Sequence, residues 1–224
     1  MIFSKKLLPF ILLSFVHIIA LTTGNSTMDM VTKPLLMPAL IFYFVGTTSA
    51  SPLNRYITIA LFFSFMGDTL LMFQGENELF FLSGLVSFLI AHVVYIIINM
   101  SAKNVMEKGL KPQWQDIIFV IYGLAIFSVI KNGLGEMYIP ALVYTVIICL
   151  MAITARKRWK KSDSESFWFV MLGACSFVAS DSLLAVNKFV GEFQMNGPAI
   201  MITYLLGQYL MIEGYKRFVN KLVA

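Results

Sequence analysis

Two aspartates stand inside segments that otherwise read as membrane-spanning helices, and they stand in similar short motifs, Gly67-Asp68-Thr69-Leu70-Leu71 and Ser180-Asp181-Ser182-Leu183-Leu184. A charged group at membrane depth costs ~2.5–3.5 kcal/mol on insertion scales, so intramembrane carboxylates mark places where a charge or a proton is used. Two carboxyl groups in one low-dielectric cavity do not both ionise freely. Desolvation disfavours each charge and mutual repulsion disfavours the second. The expected resting state is one neutral acid beside one carboxylate, which is a general acid and a general base available together at neutral pH. The competing reading is plainer: each aspartate hydrogen-bonds a neighbouring helix and fixes packing.

Few other polar groups lie within the apolar segments. His92-x-x-Tyr95 places two of them one turn apart on a helix face, and Tyr204 and Gln208 form an i, i+4 pair. These four are the candidates for orienting the carboxylates or holding a polar substrate head. His17 reads as a packing or supporting residue, and Glu213 as an ion-pair partner of Lys216 or Arg217. Cys149 and Cys175 lie in apolar spans with no Cys-x-x-Cys spacing, as small packing residues do. A catalytic zinc site draws on three protein ligands, and two histidines on different helices do not demand one. The chain has no Gly-x-Ser-x-Gly elbow and no glycine-rich phosphate loop. The residues therefore call for no metal and no organic cofactor.

The elements that must carry these groups follow from composition. The 224 residues are 58% hydrophobic and 13% charged, which is a polytopic membrane protein. Apolar runs near the length needed to cross a bilayer predict eight spans, at 7–23, 34–50, 56–73, 79–99, 115–130, 137–154, 167–186 and 197–215. The expectation is one all-helical membrane domain over 1–224. Residues 1–23 also resemble a signal peptide, but the first-helix reading is preferred because it preserves eight spans.

The net charge of +5 is no nucleic-acid signal, because topology accounts for it. One side of the membrane would carry Lys5, Lys6, Arg55, Lys103, Lys108, Lys111, Arg156, Lys157, Arg158, Lys160, Lys161, Lys216, Arg217 and Lys221. The other would carry Lys33, Lys131 and Lys188. The positive-inside rule then puts both termini in the cytoplasm, with Trp114, Trp159 and Trp168 as interfacial anchors. Arg156–Lys161 reads as a topology determinant rather than a lipid site. The expected location is a bacterial inner membrane.

The second half echoes the first. Pro38-Ala39-Leu40-Ile41 matches Pro140-Ala141-Leu142-Val143, and the two aspartate motifs match. Gly84 precedes Tyr95 as Gly197 precedes Gln208, by eleven positions in each case, and each aspartate lies 27 residues before that tyrosine or glutamine. Halves of roughly 1–100 and 112–224, each of four helices, would form a parallel repeat about an axis along the membrane normal. Asp68 and Asp181 would then approach one shared site, in the outer half of the membrane.

The motifs Gly67-Asp68-x-x-Leu71, Ala91-His92-x-x-Tyr95, Ser180-Asp181-x-x-Leu184-Ala185 and Thr203-Tyr204-x-x-x-Gln208, with Lys33-Pro34-Leu35 ahead of the second helix, resemble the YhhN-like lysoplasmalogenase family. The resemblance runs from residue 33 to 210. It implies an eight-helix membrane enzyme that hydrolyses the vinyl ether bond of lysoplasmalogens, with the aspartates as catalytic groups. Lysophospholipid and membrane lipids are then the expected partners, and Lys33 joins the candidate site. The chemistry agrees with the residues, because vinyl ethers are cleaved by acid and a positioned carboxylic acid with a neighbouring carboxylate is what that step needs. Two other readings use the same residues. A proton-coupled transporter of lipids or small molecules also places acids near the midplane between parallel repeats. An intramembrane aspartyl protease also uses two helix-borne aspartates, though the surroundings of Asp68 fit it only loosely.

Overall fold

The computed structural model describes residues 4–102 and 112–223. Eight α-helices account for most of them: α1 (Leu8–Thr23), α2 (Ser26–Thr47), α3 (Pro52–Leu71), α4 (Glu78–Ser101), α5 (Ile117–Ile130), α6 (Tyr138–Arg156), α7 (Ser164–Phe189) and α8 (Asn196–Val223). No strand occurs among the described residues. Short polar caps start several helices. Asn25, Ser51, Asn77 and Asp163 each accept a backbone N–H of the first turn, at the heads of α2, α3, α4 and α7. Gly24 ends α1 at φ 65°, a left-handed conformation that suits glycine, and lets the chain reverse within two residues.

The expected spans and the observed helices agree apart from their ends. The two largest differences are eight residues each: α8 runs on to Val223 rather than ending at residue 215, and α2 begins at Ser26 rather than at residue 34 and runs through both Pro34 and Pro38. Lys33 is therefore not in a loop ahead of the helix; it lies inside α2. Proline breaks a helix in water because it removes a hydrogen bond and crowds the carbonyl four residues back. Within a membrane protein, neighbouring groups can satisfy the freed backbone, and the helix continues. Lys103, Lys108 and Lys111 fall outside the described residues.

Six helices, several with short 3-10 extensions, are long and apolar enough to cross a membrane. Their outward side chains are apolar and exposed, among them Phe15 on α1 and Ile118, Ile121 and Leu124 on α5. Such a surface suits lipid tails and not water. The chain is a multi-pass membrane protein. α3 and α8 are less apolar than these six, and their composition shows why. α3 carries Asn54, Arg55, Ser64 and Asp68, and α8 carries Gln208, Glu213, Lys216 and Arg217. Of these, Ser64, Asp68, Gln208 and Glu213 are buried in the protein.

The closest helix pairs are α7 with α8 and α3 with α4. Small residues permit the approach. A Cβ on Gly207 would meet the Phe177 nitrogen at 2.9 Å and the Gly173 carbonyl at 3.0 Å, so the backbones of α7 and α8 touch there. A Cβ on Gly67 would drive into the Phe88 ring at 2.6 Å, which seats α4 against α3. One apolar core runs through these contacts, with Phe44, Leu61, Tyr95, Met151, Phe177 and Tyr215 at its centre.

Candidate active site

α3 and α8 cross-link through two parallel rungs. Tyr204 donates to Asp68 Oδ2 at 2.7 Å, and the Gln208 side-chain amide donates to Ser64 Oγ at 2.9 Å. Ser64 and Asp68 are one turn apart on α3; Tyr204 and Gln208 are one turn apart on α8. The rungs match because the two helices run in opposite directions. Gln208 also accepts from Tyr95 on α4 at 2.7 Å, and its amide reaches the Tyr204 hydroxyl at 3.4 Å. Four of the residues singled out in the sequence, Asp68, Tyr95, Tyr204 and Gln208, thus form one continuous hydrogen-bonded chain. Buried polar groups need such partners, since an unmade hydrogen bond in the interior costs ~1–3 kcal/mol.

Asp181 has a different set of neighbours. The Tyr144 hydroxyl of α6 donates to its Oδ2 at 2.5 Å. His92 Nε2 of α4 stands 3.6 Å from the same oxygen, beyond hydrogen-bond reach. Neither ring nitrogen of the fully buried His92 has a hydrogen-bond partner among the described residues. The two aspartates are linked by a row of rings in edge contact. Tyr144 meets His92 at 5.3 Å, His92 meets Phe177 at 4.8 Å, and Phe177 meets Tyr204 at 5.4 Å. Each tyrosine at the ends of the row holds one carboxylate. The carboxylates lie within Coulombic range of each other.

They differ in access. Asp68 is 3% exposed and sealed by its partners. The Asp181 side chain is 12% exposed and lines two narrow clefts of about 40 Å³ each. One is bounded by α5, α6 and α7 through Tyr122, Gly123, Cys149 and Val178. The other is bounded by α4, α6 and α7 through Phe81, Leu85, Ala141 and Leu184. Both walls are apolar, and Asp181 and Tyr144 are common to both. Each cleft has room for about one water molecule or methylene group, and each brings one carboxyl and one phenol to a mostly apolar wall.

Lys33 lies within Coulombic range of Asp68 and of His17, so its place inside α2 brings it to the sealed carboxylate rather than to the clefts. His17 is fully buried, with Nδ1 3.0 Å from Thr32 Oγ1 and 3.5 Å from Asp29, in the supporting role expected of it. Glu213 pairs with both expected partners, Lys216 at 2.6 Å and Arg217 at 2.9 Å, and accepts from Tyr43 as well.

Sequence reasoning passed over Tyr144 and Ser64. Ser64 had a signal, because it lies four residues before Asp68 on the same helical face. Tyr144 had none: a single phenol in an apolar helix reads as hydrophobic until its hydroxyl is seen to meet a carboxylate. It also passed over Asn99, which accepts from Tyr215 at 2.9 Å, and Arg158, whose buried guanidinium binds the Ala102 carbonyl and Ser166. These tie α4, α7 and α8 at the end of the bundle away from Asp181.

Eight packed helices with polar residues turned inward and two carboxylates at their centre define a polytopic helical membrane protein with an internal acid site. Residues 28–215 match the YhhN family, and the chain belongs to that family. It is 24% identical to the human "Lysoplasmalogenase TMEM86A" over 217 residues, which cover 93% of this chain and 87% of that protein. The Bos taurus protein of the same name is 26% identical over 175 residues, 77% of this chain and 70% of that protein. A Mycobacterium tuberculosis "Lysoplasmalogenase" is 23% identical over 188 residues, 82% of this chain and 70% of that protein. No solved structure is significantly similar to the chain.

Proposed function

We propose that the chain is a membrane-embedded ether-bond hydrolase that cleaves the vinyl ether of lysoplasmalogens, releasing a fatty aldehyde and glycerophosphoethanolamine or glycerophosphocholine. The observation that carries the reading is the partial exposure of Asp181 at the floor of two apolar clefts, with Tyr144 bonded to it. Lysoplasmalogenase-named relatives in both mammals and mycobacteria support the same activity.

In the proposed reaction the neutral Asp181 carboxyl gives its proton to the β-carbon of the vinyl ether, leaving an oxocarbenium ion. Water adds to the α-carbon and gives a proton back to the Asp181 carboxylate, which restores the acid. The hemiacetal then collapses, its hydroxyl proton passing to the departing glycerol oxygen as the carbon–oxygen bond breaks. One water is consumed, and the products are aldehyde and alcohol. Tyr144 orients the carboxyl, leaving its second oxygen for the substrate. Asp68 completes the dyad from its sealed position: its negative charge, within Coulombic range, stabilises the cation. Tyr204, Gln208, Tyr95 and Ser64 hold Asp68 rigidly, and Lys33 balances its charge. His92 stands beside Asp181 with unpartnered nitrogens, placed to hold the attacking water.

The proposed arrangement has both termini in the cytoplasm and two four-helix halves related by an axis along the membrane normal, with the acid site in the outer half of a bacterial inner membrane. The close packing of α3 with α4 and of α7 with α8 supports such halves.

The test is purified protein in detergent, incubated with a 1-alkenyl lysophospholipid and assayed for free aldehyde. Turnover without a sealed vesicle is the expected result, and Asp181→Asn should lose it. Wild-type protein that releases no aldehyde above a protein-free control would sink the hydrolase reading and favour a carrier, and an Asp181→Asn protein as active as wild type would remove Asp181 from the chemistry.

A further inference from the structure

Lys188 lies seven residues beyond Asp181 on α7. Asp181, Leu184, Ala185 and Lys188 follow one another at helical three- and four-residue steps, so they run along one face. The first three line the cleft between α4, α6 and α7. The ammonium of Lys188 sits 4.7 Å over the ring of Phe81, and Phe81 packs edge-on against Phe189. Both rings line that cleft. Lys188 is exposed and has no ion-pair partner among the described residues. A cation is therefore held over the aromatic rim of the cleft, about two helical turns, or roughly 10 Å, above the carboxyl on its floor.

Resting on the hydrolase reading above, we infer that Lys188 is the specificity-determining residue that binds the substrate's phosphodiester and sets the depth of its vinyl ether. In an extended 1-alkenyl lysophospholipid the phosphorus and the vinyl carbons are about 9 Å apart. With the phosphate on Lys188, the double bond reaches the level of Asp181, and the hydrocarbon tail continues along the apolar walls. A lysine suits this task. It is a point charge on a long stem that follows an anion at the membrane surface without demanding one geometry. The amine of the headgroup points outward, away from the cation, so choline and ethanolamine are accepted alike.

The experiment compares two substrates on purified protein in neutral detergent: 1-alkenyl-glycerophosphocholine and 1-alkenylglycerol, which has the vinyl ether but no phosphate. Lys188→Met keeps the stem on Phe81 and removes the charge. It should raise KM for the phosphorylated substrate about tenfold, leave kcat within about twofold, and leave 1-alkenylglycerol hydrolysis unchanged. Lys188→Arg should restore the low KM. Equal effects on both substrates would mean that Lys188 supports the shape of the cleft through Phe81 rather than binding phosphate, and would overturn the inference, as would an unchanged KM for the phosphorylated substrate. Wild-type protein that cleaves neither substrate would instead defeat the hydrolase reading itself, and this inference with it.

Discussion

Replacing Tyr144 with phenylalanine removes a single oxygen, the one that donates to Asp181 Oδ2 at 2.5 Å. The ring and its edge contact with His92 at 5.3 Å stay in place. A hydrogen bond to a charged group is worth ~1.5–3 kcal/mol, and the charge-assisted kind is the stronger sort. If Tyr144 orients and polarises the carboxyl in the transition state, Tyr144→Phe should lower kcat/KM by that amount, about 10- to 150-fold. The loss should fall on kcat, because the apolar walls that bind the chain are untouched. The assay is aldehyde release from a 1-alkenyl lysophospholipid, run beside a thermal melt in the same detergent. A double-mutant cycle sharpens it. Once Asp181→Asn has removed the acid, adding Tyr144→Phe should cost little more, since residues that act as a unit are not additive. A Tyr144→Phe enzyme within about twofold of wild type would refute the argument that this contact serves the chemistry. A full second loss on top of Asp181→Asn would show that the two side chains act independently.

Asp68→Asn keeps the shape and an oxygen for Tyr204 but cannot carry charge; activity should fall more than tenfold with the protein still folded, and a smaller loss, under ~1.4 kcal/mol in barrier, would remove Asp68 from the dyad. Gly207→Val should destabilise the α7–α8 contact by about 1–3 kcal/mol, read as a lowered melting temperature, whereas Gly75→Ala, with open space around its Cβ position, should leave it unchanged. Equal melting temperatures for the two would contradict the close approach. Cysteines placed by Gly75→Cys and Lys160→Cys, with Cys149 and Cys175 replaced, should be labelled from outside the cell only in the first case; the opposite result would invert the topology. Activity should survive dialysis against a strong chelator, and a loss restored by Zn²⁺ would replace the metal-free acid mechanism with one in which His92 and Asp181 are ligands.

Much of the fold was legible because lipid imposes a simple rule: apolar runs of a bilayer's thickness are helices, and eight were there to be read. The rule fails at the start of α2. Lys33-Pro34 resembles a helix start, yet the capped helix begins at Ser26 and passes through both prolines. Asp68, Asp181, His92, Tyr95, Tyr204 and Gln208 were legible because each is polar at membrane depth. Which of them touch was not. Tyr95 and Gln208, each 27 residues past its aspartate in the two halves, bond directly to each other across the bundle. That pairing depends on three-dimensional packing that spacing does not encode. Tyr144 stayed hidden because tyrosine is amphipathic: its ring counts as apolar in any hydropathy reading, while its hydroxyl makes the shortest contact to Asp181.

The same reasoning explains the two helices, α3 and α8, that are more polar than the other six. α3 and α8 supply the two rungs around Asp68, and Glu213, Lys216, Arg217 and Asn220 of α8 pair off further along the bundle. Glu213 takes Lys216, Arg217 and Tyr43, and Asn220 donates to the Thr47 carbonyl and accepts from the Ser49 amide. A helix can afford such composition in a membrane only when other helices shield it, which the outward apolar faces of α1 and α5 illustrate from the other side. The polarity that weakens α3 and α8 as independent spans is what fixes Asp68 where solvent cannot reach it. Asp181 takes its hydrogen bond from Tyr144 of α6 instead, with His92 of α4 alongside at 3.6 Å, and its wall is incomplete. In the dyad we propose, one carboxylate is then held for its field and the other for its access, and that division follows from which helices surround each.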